Sequence, residues 1–251
     1  MKTAHSSTAN PAEGKKAASN PAARASRAAA RVFLVDDHPL IRRGLTELVN
    51  GQPDMVVCGD AGNVAEAKQG LAANRPDVLV ADLSLPGADG MELIRDVAVL
   101  YPGLPVLVLS MHDEMFFAER ALRAGARGYI MKQELSEKVV DAIRTVLRGE
   151  VYVSRDVSAR ILRAYLGGNK APAGRQGIES LSDREVQVFE SVGHGLGTGA
   201  IASALGVSPK TVETYRLRIR RKLGLKSTIE ITHAAIRWVD DGPRPPAPGQ
   251  P

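Results

Sequence analysis

Apolar and polar positions follow two alternating patterns between residues 31 and 150. Short continuous apolar runs suit strands buried on both faces, whereas the longer segments between them carry apolar residues every three or four positions, which is typical of helices. The runs predicted as strands are 32–35, 55–59, 78–81, 106–109 and 128–131. Helices are predicted over 39–50, after Asn63, and over 90–100, 114–124 and 136–148. This alternation predicts a doubly wound α/β domain, in which a five-stranded parallel sheet is covered by helices on both faces.

A different pattern begins after residue 177, where helix-start signals recur without strand-like runs. Ser182 and Ser227 are each followed three residues later by Glu, a capping-box sequence, and Ser208 stands directly before a proline. These signals predict four helices that end near residues 192, 205, 223 and 239, and Thr198 is the obvious N-cap of the second. The pattern predicts a small all-α four-helix domain with a marginal core.

Three segments have the composition of flexible chain. Residues 1–30 contain no Leu, Ile, Val or Phe, and residues 241–251 are rich in Pro and Gly, so both are predicted to be disordered tails. Residues 151–177 are predicted to be a linker because 167–174 are rich in Gly. The predicted organisation is a basic tail over 1–30, an α/β domain over 31–150, the linker, a helical domain over 178–240 and a second tail over 241–251.

Composition narrows the classes of protein. A single cysteine, Cys58, excludes an internal disulfide and a Cys-cluster metal site, and His38, His112, His194 and His233 are scattered without metal-ligand spacing. No apolar run reaches the roughly 18 residues that span a bilayer, so no membrane partner is expected. The net charge of +5 only permits a nucleic-acid partner. Its distribution favours one, because residues 31–150 hold 13 basic and 18 acidic residues, whereas 178–239 hold 9 basic and 6 acidic.

Polar residues follow four of the predicted strands at the point where each ends. Asp36 and Asp37 follow the first strand, Asp82 the third, Ser110 the fourth and Lys132 the fifth. Each residue alone is more often a cap or turn residue, but the carboxyl ends of parallel strands share one edge of a sheet. Carboxylates this close need a cation or a shared proton, and oxygen ligands suit Mg²⁺. A carboxylate beside Mg²⁺ can attack a phosphoryl group, whose oxygens an ammonium and a hydroxyl can bind.

The helix predicted over 209–223 has one apolar side and one polar side. A short helix, a tight turn and then a basic helix form a helix-turn-helix pattern, in which the outer side of the second helix contacts phosphates and base edges. Without the preceding helix and turn, the basic run would be interpreted as a solvated surface. The residues predicted to face DNA are Lys210, Thr211, Glu213, Thr214, Leu217, Arg218 and Arg221.

Two parts of the sequence resemble known families. The acidic pair Asp36-Asp37, the segment 81–90 around Asp82, and the segments 109–112 and 125–132 resemble the receiver domain of two-component response regulators. Segments 181–185, 201–215 and 219–225 resemble the LuxR-type DNA-binding domain. The chain is therefore similar to NarL/FixJ-type response regulators, whose receiver has a flavodoxin-like sheet. It departs from relatives at Glu213 and Tyr215, where Lys and His are common, and this departure predicts a different operator sequence.

The resemblance implies a function and a set of roles. Asp82 would accept a phosphoryl group from a histidine kinase, and Mg²⁺ would be held by Asp36, Asp37, Asp82 and the backbone carbonyl of Ser84. Ser110 and Lys132 would bind the phosphoryl oxygens, and Tyr129 would change rotamer together with Ser110.

The expected protein is a cytoplasmic transcription regulator without an external substrate, which forms a homodimer when phosphorylated. Three alternatives stay open: an adaptor whose helical domain binds protein, a DNA-binding regulator independent of phosphorylation, and a phosphatase-like enzyme that uses the same acidic edge. Turnover of phosphoesters would indicate the enzyme, and failure to bind DNA would indicate the adaptor.

Overall fold

The computed structural model describes residues 28–86, 88–134, 137–166 and 177–240. Two groups of strands lie between residues 30 and 131. The strands are β1 (Ala30–Val35), β2 (Met55–Ala61), β3 (Val78–Ala81), β4 (Ser84–Leu85), β5 (Ala88–Asp89), β6 (Val106–Ser110) and β7 (Gly128–Met131). Five of them form a parallel sheet in the order β2-β1-β3-β6-β7, and β4 and β5 form a small antiparallel hairpin. The predicted five-stranded parallel sheet is confirmed.

Helices cover both faces of the sheet and continue beyond it. They are α1 (Pro39–Asn50), α2 (Val64–Asn74), α3 (Gly90–Leu100), α4 (Glu114–Ala124), α5 (Glu137–Leu147), α6 (Arg155–Leu166), α7 (Asp183–Gly193), α8 (Thr198–Ala204), α9 (Pro209–Lys222) and α10 (Thr228–Asp240). Leu45 of α1 and Ile143 of α5 pack against one face of the sheet, and Leu71 of α2 and Phe117 of α4 pack against the other. Because the sheet is covered twice, its central strands β3 and β6 are fully buried, whereas most residues of the edge strand β2 are partly or fully exposed.

The order of the strands determines where ligands bind. The chain runs from β1 outward to β2 and then returns past β1 to β3, so the direction of winding reverses between β1 and β3. In open α/β sheets the crevice for ligands lies at this reversal, beyond the carboxyl ends of the strands. Asp36 and Asp82 directly follow β1 and β3, and they therefore lie at this crevice.

The helix starts follow the predicted capping signals with one exception. The Ser182 side chain accepts a hydrogen bond from the Glu185 N–H, and the Glu185 carboxylate accepts one from the Ser182 N–H, which completes the capping box. Ser208 caps α9 by accepting from the Thr211 N–H at 3.1 Å. The prediction that Thr198 caps α8 was wrong, because its backbone is already helical and Gly197 occupies the N-cap position.

The segment predicted as a linker contains regular structure. Tyr152 forms a parallel bridge to Gly128 at the edge of the sheet, and α6 follows within the predicted linker. Val157 of α6 is buried in the core, and Arg160 contacts the Met115 carbonyl of α4.

The predicted tails lie almost wholly outside the described residues, since β1 begins at Ala30 and α10 ends at Asp240. Residues 167–174 of the linker also lie outside them. The domain limits stay predictions. Within the described ranges, no helix is both long enough and apolar enough to cross a membrane.

Candidate functional site

Carboxylates gather beyond the carboxyl ends of β1 and β3. These strands are neighbours, with Val35 paired to Ala81, so the residues that follow them lie side by side. Ligand atoms of Asp36, Asp37, His38 and Asp82 all lie within 4.8 Å of one another. Asp36 and Asp82 are each only 2% exposed. The predicted acidic edge is therefore confirmed as a cluster, and His38, which the sequence pattern left unassigned, belongs to it.

Lys132 holds two of these carboxylates from the end of β7. Its Nζ lies 2.6 Å from Asp36 Oδ2 and 2.7 Å from Asp82 Oδ2. Burial raises the pKa of the Asp82 carboxyl, and the Lys132 ammonium offsets only part of that effect. Burial also lowers the pKa of Lys132, but the neighbouring carboxylates of Asp82 and Asp36 outweigh it, so its pKa lies above the ordinary value. Lys132 is therefore a charged group inside the site.

The cluster fits a hard divalent cation. Its donors are carboxylate oxygens, the type that Mg²⁺ prefers. Asp36 Oδ2 and Asp37 Oδ1 are buried, and among the described residues they face the Lys132 ammonium at 2.6 Å and the His38 ring at 2.7 Å. The Asp82 carboxylate is oriented by the Ser84 N–H, which donates to its Oδ1 at 3.0 Å. The residues present therefore fit a bound Mg²⁺.

The predicted switch residues lie together on the next two strands of the sheet. Ser110 ends β6 and is fully buried, and Tyr129 of β7 is 1% exposed. The Tyr129 hydroxyl donates to the His112 carbonyl at 2.8 Å. Burial raises the pKa of the Tyr129 hydroxyl well above its ordinary value, and a hydrogen bond with Ser110 acts in the opposite direction. Tyr129 therefore faces the interior, in contact with the residues that its predicted role requires.

The face of α9 predicted to contact DNA is largely exposed. Six of the seven predicted residues are exposed and Thr211 is half-buried. The Thr198 hydroxyl donates to Glu213 Oε1 at 2.7 Å. The first residue of α8 therefore binds the Glu213 carboxylate on α9. Lys222, at the end of α9, instead donates to the Ser180 carbonyl and the Glu185 carboxylate. The basic run on α9 is thus divided between an exposed face and an internal contact.

Helix α7 and the residues just before it form contacts that the sequence pattern did not predict. Arg120 of α4 donates to the Asp183 carboxylate at 3.0 Å, to the Leu181 carbonyl at 3.0 Å and to the Ile178 carbonyl at 3.1 Å. Arg95 of α3 also binds the Asp183 carboxylate. These contacts join the helical domain to the α/β domain. The only signal in the sequence is that acidic residues occur along the whole length of α7.

Two further contacts connect α7 to the loops of the acidic site. His112 Nδ1 pairs with the Glu190 carboxylate, and its Nε2 lies 3.1 Å from Ser84 Oγ. Arg184 donates to the Leu85 carbonyl at 3.0 Å. The sequence pattern gave His112 no role, because histidines that act with distant partners have no characteristic spacing.

Fold and site together define the class of protein. Residues 32–144 match the response regulator receiver domain, and residues 179–235 match the luxR family of bacterial regulatory proteins. The chain belongs to the two-component response regulators of the NarL/FixJ type, with a LuxR-type DNA-binding domain at the C-terminal side. This finding confirms the family, the fold and the general function predicted from the sequence.

Individual relatives support this assignment over most of the chain. The oxygen regulatory protein NreC of Staphylococcus carnosus is 33% identical over 210 residues, which are 82% of this chain and 97% of that protein. The transcriptional regulatory protein UhpA of Salmonella typhimurium is 35% identical over 202 residues, covering 80% of this chain and 95% of that protein. In fold, the chain is similar to RcsB of Salmonella enterica serovar Typhimurium bound to the promoter rprA, with a TM-score of 0.56 and 24% identity over 83% of this chain and 99% of that one.

Proposed function

We propose that Asp82 accepts a phosphoryl group from a histidine kinase and that this modification controls DNA binding by α9. The observation that carries the proposal is the position of Asp82 at the reversal of the sheet, with Lys132 Nζ 2.7 Å from its carboxylate. Asp82 Oδ1 accepts the Ser84 N–H, so the carboxylate is already oriented. Preorganised charge of this kind favours attack on a phosphoryl group.

The proposed transfer forms one bond and breaks one bond. A carboxylate oxygen of Asp82 attacks the phosphorus of the donor's phosphohistidine, the O–P bond forms as the P–N bond breaks, and the leaving histidine takes up a proton from water. Asp82 then lacks its carboxylate charge, so the Lys132 ammonium turns from it to the phosphoryl oxygens. The Ser110 hydroxyl, fully buried at the end of β6, donates to another of these oxygens.

Asp36, Asp37, Asp82 and the Ser84 carbonyl would hold Mg²⁺ in this site. When bound, Mg²⁺ neutralises charge on the phosphoryl oxygens during transfer. Asp36 is kept in place by its own surroundings, because His38 N–H donates to Asp36 Oδ1 at 2.8 Å and Arg42 donates to its carbonyl at 2.5 Å.

The output of the protein is DNA binding through α9. Lys210, Arg218 and Arg221 supply positive charge toward phosphates, and Glu213 can accept from the amino group of cytosine. The exposure of these side chains supports this role over an adaptor that binds protein. Because chromosomal DNA is the target, the protein acts in the cytoplasm. When phosphorylated, it acts as a homodimer. It has no external substrate, since its only proposed reaction ends on its own Asp82.

The substitution Asp82→Asn tests the phosphorylation site. The wild-type chain incubated with acetyl phosphate and Mg²⁺ should gain an acid-labile phosphoryl group, and the variant should gain none. Asp77→Asn is the matched control, because Asp77 lies at the opposite end of β3 and should not affect labelling. Undiminished labelling of Asp82→Asn would overturn the assignment.

A further inference from the structure

His38 is the member of the acidic cluster that has no role in the proposed function. It directly follows Asp36 and Asp37, and its ring Nδ1 lies 3.2 Å from Asp36 Oδ1 and 2.7 Å from Asp37 Oδ1. Asp37 Oδ1 is buried and forms no hydrogen bond with the described residues, so the 2.7 Å contact lacks the alignment that a hydrogen bond requires. Three potential ligand atoms therefore converge at one place.

The backbone before α1 holds the His38 ring at the two carboxylates. Proline restricts the residue before it to extended backbone, and His38, which precedes Pro39, has φ −92° and ψ 108°. The His38 N–H donates to Asp36 Oδ1 at 2.8 Å, and its carbonyl accepts from the N–H groups of Ile41 and Arg42. His38 occupies the N-cap position, but its side chain accepts no capping hydrogen bond. The ring is therefore positioned by its backbone and is not used to cap the helix.

The spacing of these atoms suits one shared cation. Ligands bind a small divalent ion at about 2.0–2.2 Å, so neighbouring ligands of such an ion lie about 3 Å apart. The two contacts of His38 Nδ1, at 2.7 and 3.2 Å, lie on either side of this value. When the neutral ring carries its proton on Nε2, Nδ1 has a lone pair like the carboxylate oxygens. Such atoms repel one another unless a cation lies between them.

The Lys132 ammonium does not replace this cation. It lies 2.6 Å from Asp36 Oδ2, whereas His38 Nδ1 faces Asp36 Oδ1, so the two side chains contact different oxygens of the same carboxylate. The second contact of the ammonium is with Asp82, and the second contact of the ring is with Asp37. The ring and the ammonium therefore bind the acidic cluster through separate atoms.

We propose that His38 Nδ1 is an additional ligand of the divalent cation, so that the site binds borderline transition-metal ions, from Mn²⁺ to Zn²⁺, more tightly than a site with oxygen ligands alone. This inference rests on the proposed function, in which Asp36, Asp37, Asp82 and the Ser84 carbonyl hold a divalent cation. His38 is in this sense a residue that determines metal selectivity, and the carboxylates determine the affinity for Mg²⁺.

Ligand type is the physical cause of this selectivity. Mg²⁺ is a hard ion that keeps several waters, and it gains little when an imidazole replaces one of them. Imidazole nitrogen suits Fe²⁺, Ni²⁺ and Zn²⁺, and affinity for divalent ions generally rises from Mn²⁺ to Ni²⁺. Because the ring is already held at the carboxylates, little side-chain freedom is lost when it binds the ion.

Mn²⁺ bound to the full-length wild type tests the contact directly. A coordinated imidazole nitrogen couples to the electron spin of Mn²⁺, and spin-echo electron paramagnetic resonance (EPR) detects this coupling as a nitrogen modulation. We expect the wild type to show the modulation and His38→Leu to lack it. His112→Leu is the matched control, because the His112 ring lies beside Ser84 but pairs with Glu190, and it should keep the modulation. Absence of the modulation in the wild type, or its persistence in His38→Leu, would overturn the proposal.

Competition between ions measures the selectivity. The EPR signal of free Mn²⁺ reports how readily Mg²⁺ or Co²⁺ displaces Mn²⁺ from the protein. His38→Leu should lower the affinity for Co²⁺ about 10-fold and that for Mg²⁺ by less than about 2-fold. Asp37→Asn removes a charged oxygen ligand, so it should weaken binding of both ions by similar factors. Retained Mg²⁺ binding shows that His38→Leu is folded. If His38→Leu weakens both ions equally, the ring only positions the carboxylates and the proposal is wrong.

Failure of this inference is distinguishable from failure of the proposed function. If Mn²⁺ binds and Asp37→Asn weakens its binding, but the wild type shows no nitrogen modulation, the cation site stands and the role of His38 is refuted. If no Mn²⁺ binds, or if Asp37→Asn leaves its binding unchanged, the cation site of the proposed function is itself wrong and this inference is refuted with it.

Discussion

Helices α7 and α9 belong to the same small domain but have opposite surfaces. Nine of the eleven residues of α7 are buried, and five of the nine are polar or charged. In α9 the buried residues are Val212 and Ile219, and the rest of the helix is largely open to solvent. A buried polar group is costly unless it is bonded, so the polar residues of α7 require partners. Many of these partners are provided by Arg95, by Arg120 and by the loops that follow β3 and β6.

This difference indicates which surface is controlled. A domain that reads DNA can be inhibited by covering its DNA-contacting helix or by holding it elsewhere. Here the receiver contacts α7, and Phe116 of α4 packs against Trp238 near the carboxyl end of α10, while the side of α9 proposed to contact DNA is open. The receiver therefore constrains the position of the helical domain without covering the proposed DNA-contacting face of α9.

The largest expected effect concerns DNA binding by the exposed face of α9. Replacing Arg218 and Arg221 together with Ala should lower affinity for a duplex selected by the wild-type protein about 10- to 100-fold at physiological salt. The slope of log affinity against log salt should become less steep by about two, one for each lost phosphate contact. Fluorescence anisotropy across a salt series measures both. Labelling at Asp82 and quenching of Trp238 should not change.

Lys222→Met is the matched control for this pair. It removes a cation from the same helix, but the Lys222 ammonium binds Ser180 and Glu185 within the domain. Its salt slope should stay within half a unit of the wild-type slope. An equal loss of slope in Lys222→Met would contradict the division of α9 into an exposed face and an internal contact.

The next largest effect concerns the contacts that hold the helical domain on the receiver. Arg120→Ala removes three hydrogen bonds that cross between the domains, and it leaves the Asp183 carboxylate with Arg95 alone. Loss of one partner from a buried pair costs several kcal/mol, but Arg95 remains and water enters, so we expect docking to weaken about 10-fold. Acrylamide quenching of Trp238 should rise accordingly.

Arg123→Ala gives the contrast, because Arg123 lies about one turn further on the same helix and, among the described residues, pairs with Glu119 at the surface. Its quenching should equal that of the wild type. If both variants are quenched equally, Arg120 does not hold the domains together.

The positions of residues could be predicted from the sequence where they depend on the element to which each residue belongs. Asp36, Asp82 and Lys132 follow strands of one parallel sheet, so the topology alone brings them to one edge. Capping by Ser182 and Ser208 could also be predicted, because a cap and its partner lie within three residues. The same reasoning placed the exposed face of α9 through the helical repeat.

The contacts that were missed depend on partners distant in sequence. His112 and Glu190 are 78 residues apart, and they meet only when two domains dock in one orientation. Helix α6 was missed because the Gly-rich stretch after it dominated the composition of the predicted linker. Thr198 was taken as a cap from residue type alone, whereas its hydroxyl binds Glu213, whose position depends on how α8 packs against α9.

A smaller effect concerns the base preference that Glu213 gives to α9. Glu213→Gln should change the preference for one base pair about 5- to 10-fold, because a carboxylate accepts from the cytosine amino group and an amide also donates. Thr198→Val keeps the carboxylate but removes its 2.7 Å hydrogen bond, so it should shift the same position in the same direction by less. Selection from a random-sequence pool measures both preferences. A shift at a different base pair in the two variants would show that Thr198 does not position Glu213.

The smallest effect concerns the contact that joins α7 to α9. Burial acts to raise the pKa of the Glu185 carboxyl, but its bonds with Lys222 and Ser182 outweigh this, so its pKa lies below the ordinary value. A carboxyl with a lowered pKa stabilises the folded state above the ordinary value near 4.3, and that stability is lost as pH falls below it. Because the Lys222 side chain is 38% exposed, Lys222→Met should cost only about 0.5–1 kcal/mol at pH 6.

Urea unfolding of the full chain, followed by Trp238 fluorescence, measures this contribution at pH 6 and at about pH 3, where carboxyls are largely protonated. The difference between wild type and Lys222→Met should shrink as pH falls, since protonated Glu185 no longer attracts the ammonium. Lys210→Met, a matched change on the exposed side of α9, should differ little from wild type at either pH. A difference for Lys222→Met that stays constant with pH would mean that Lys222 stabilises the domain through the Ser180 carbonyl rather than through Glu185.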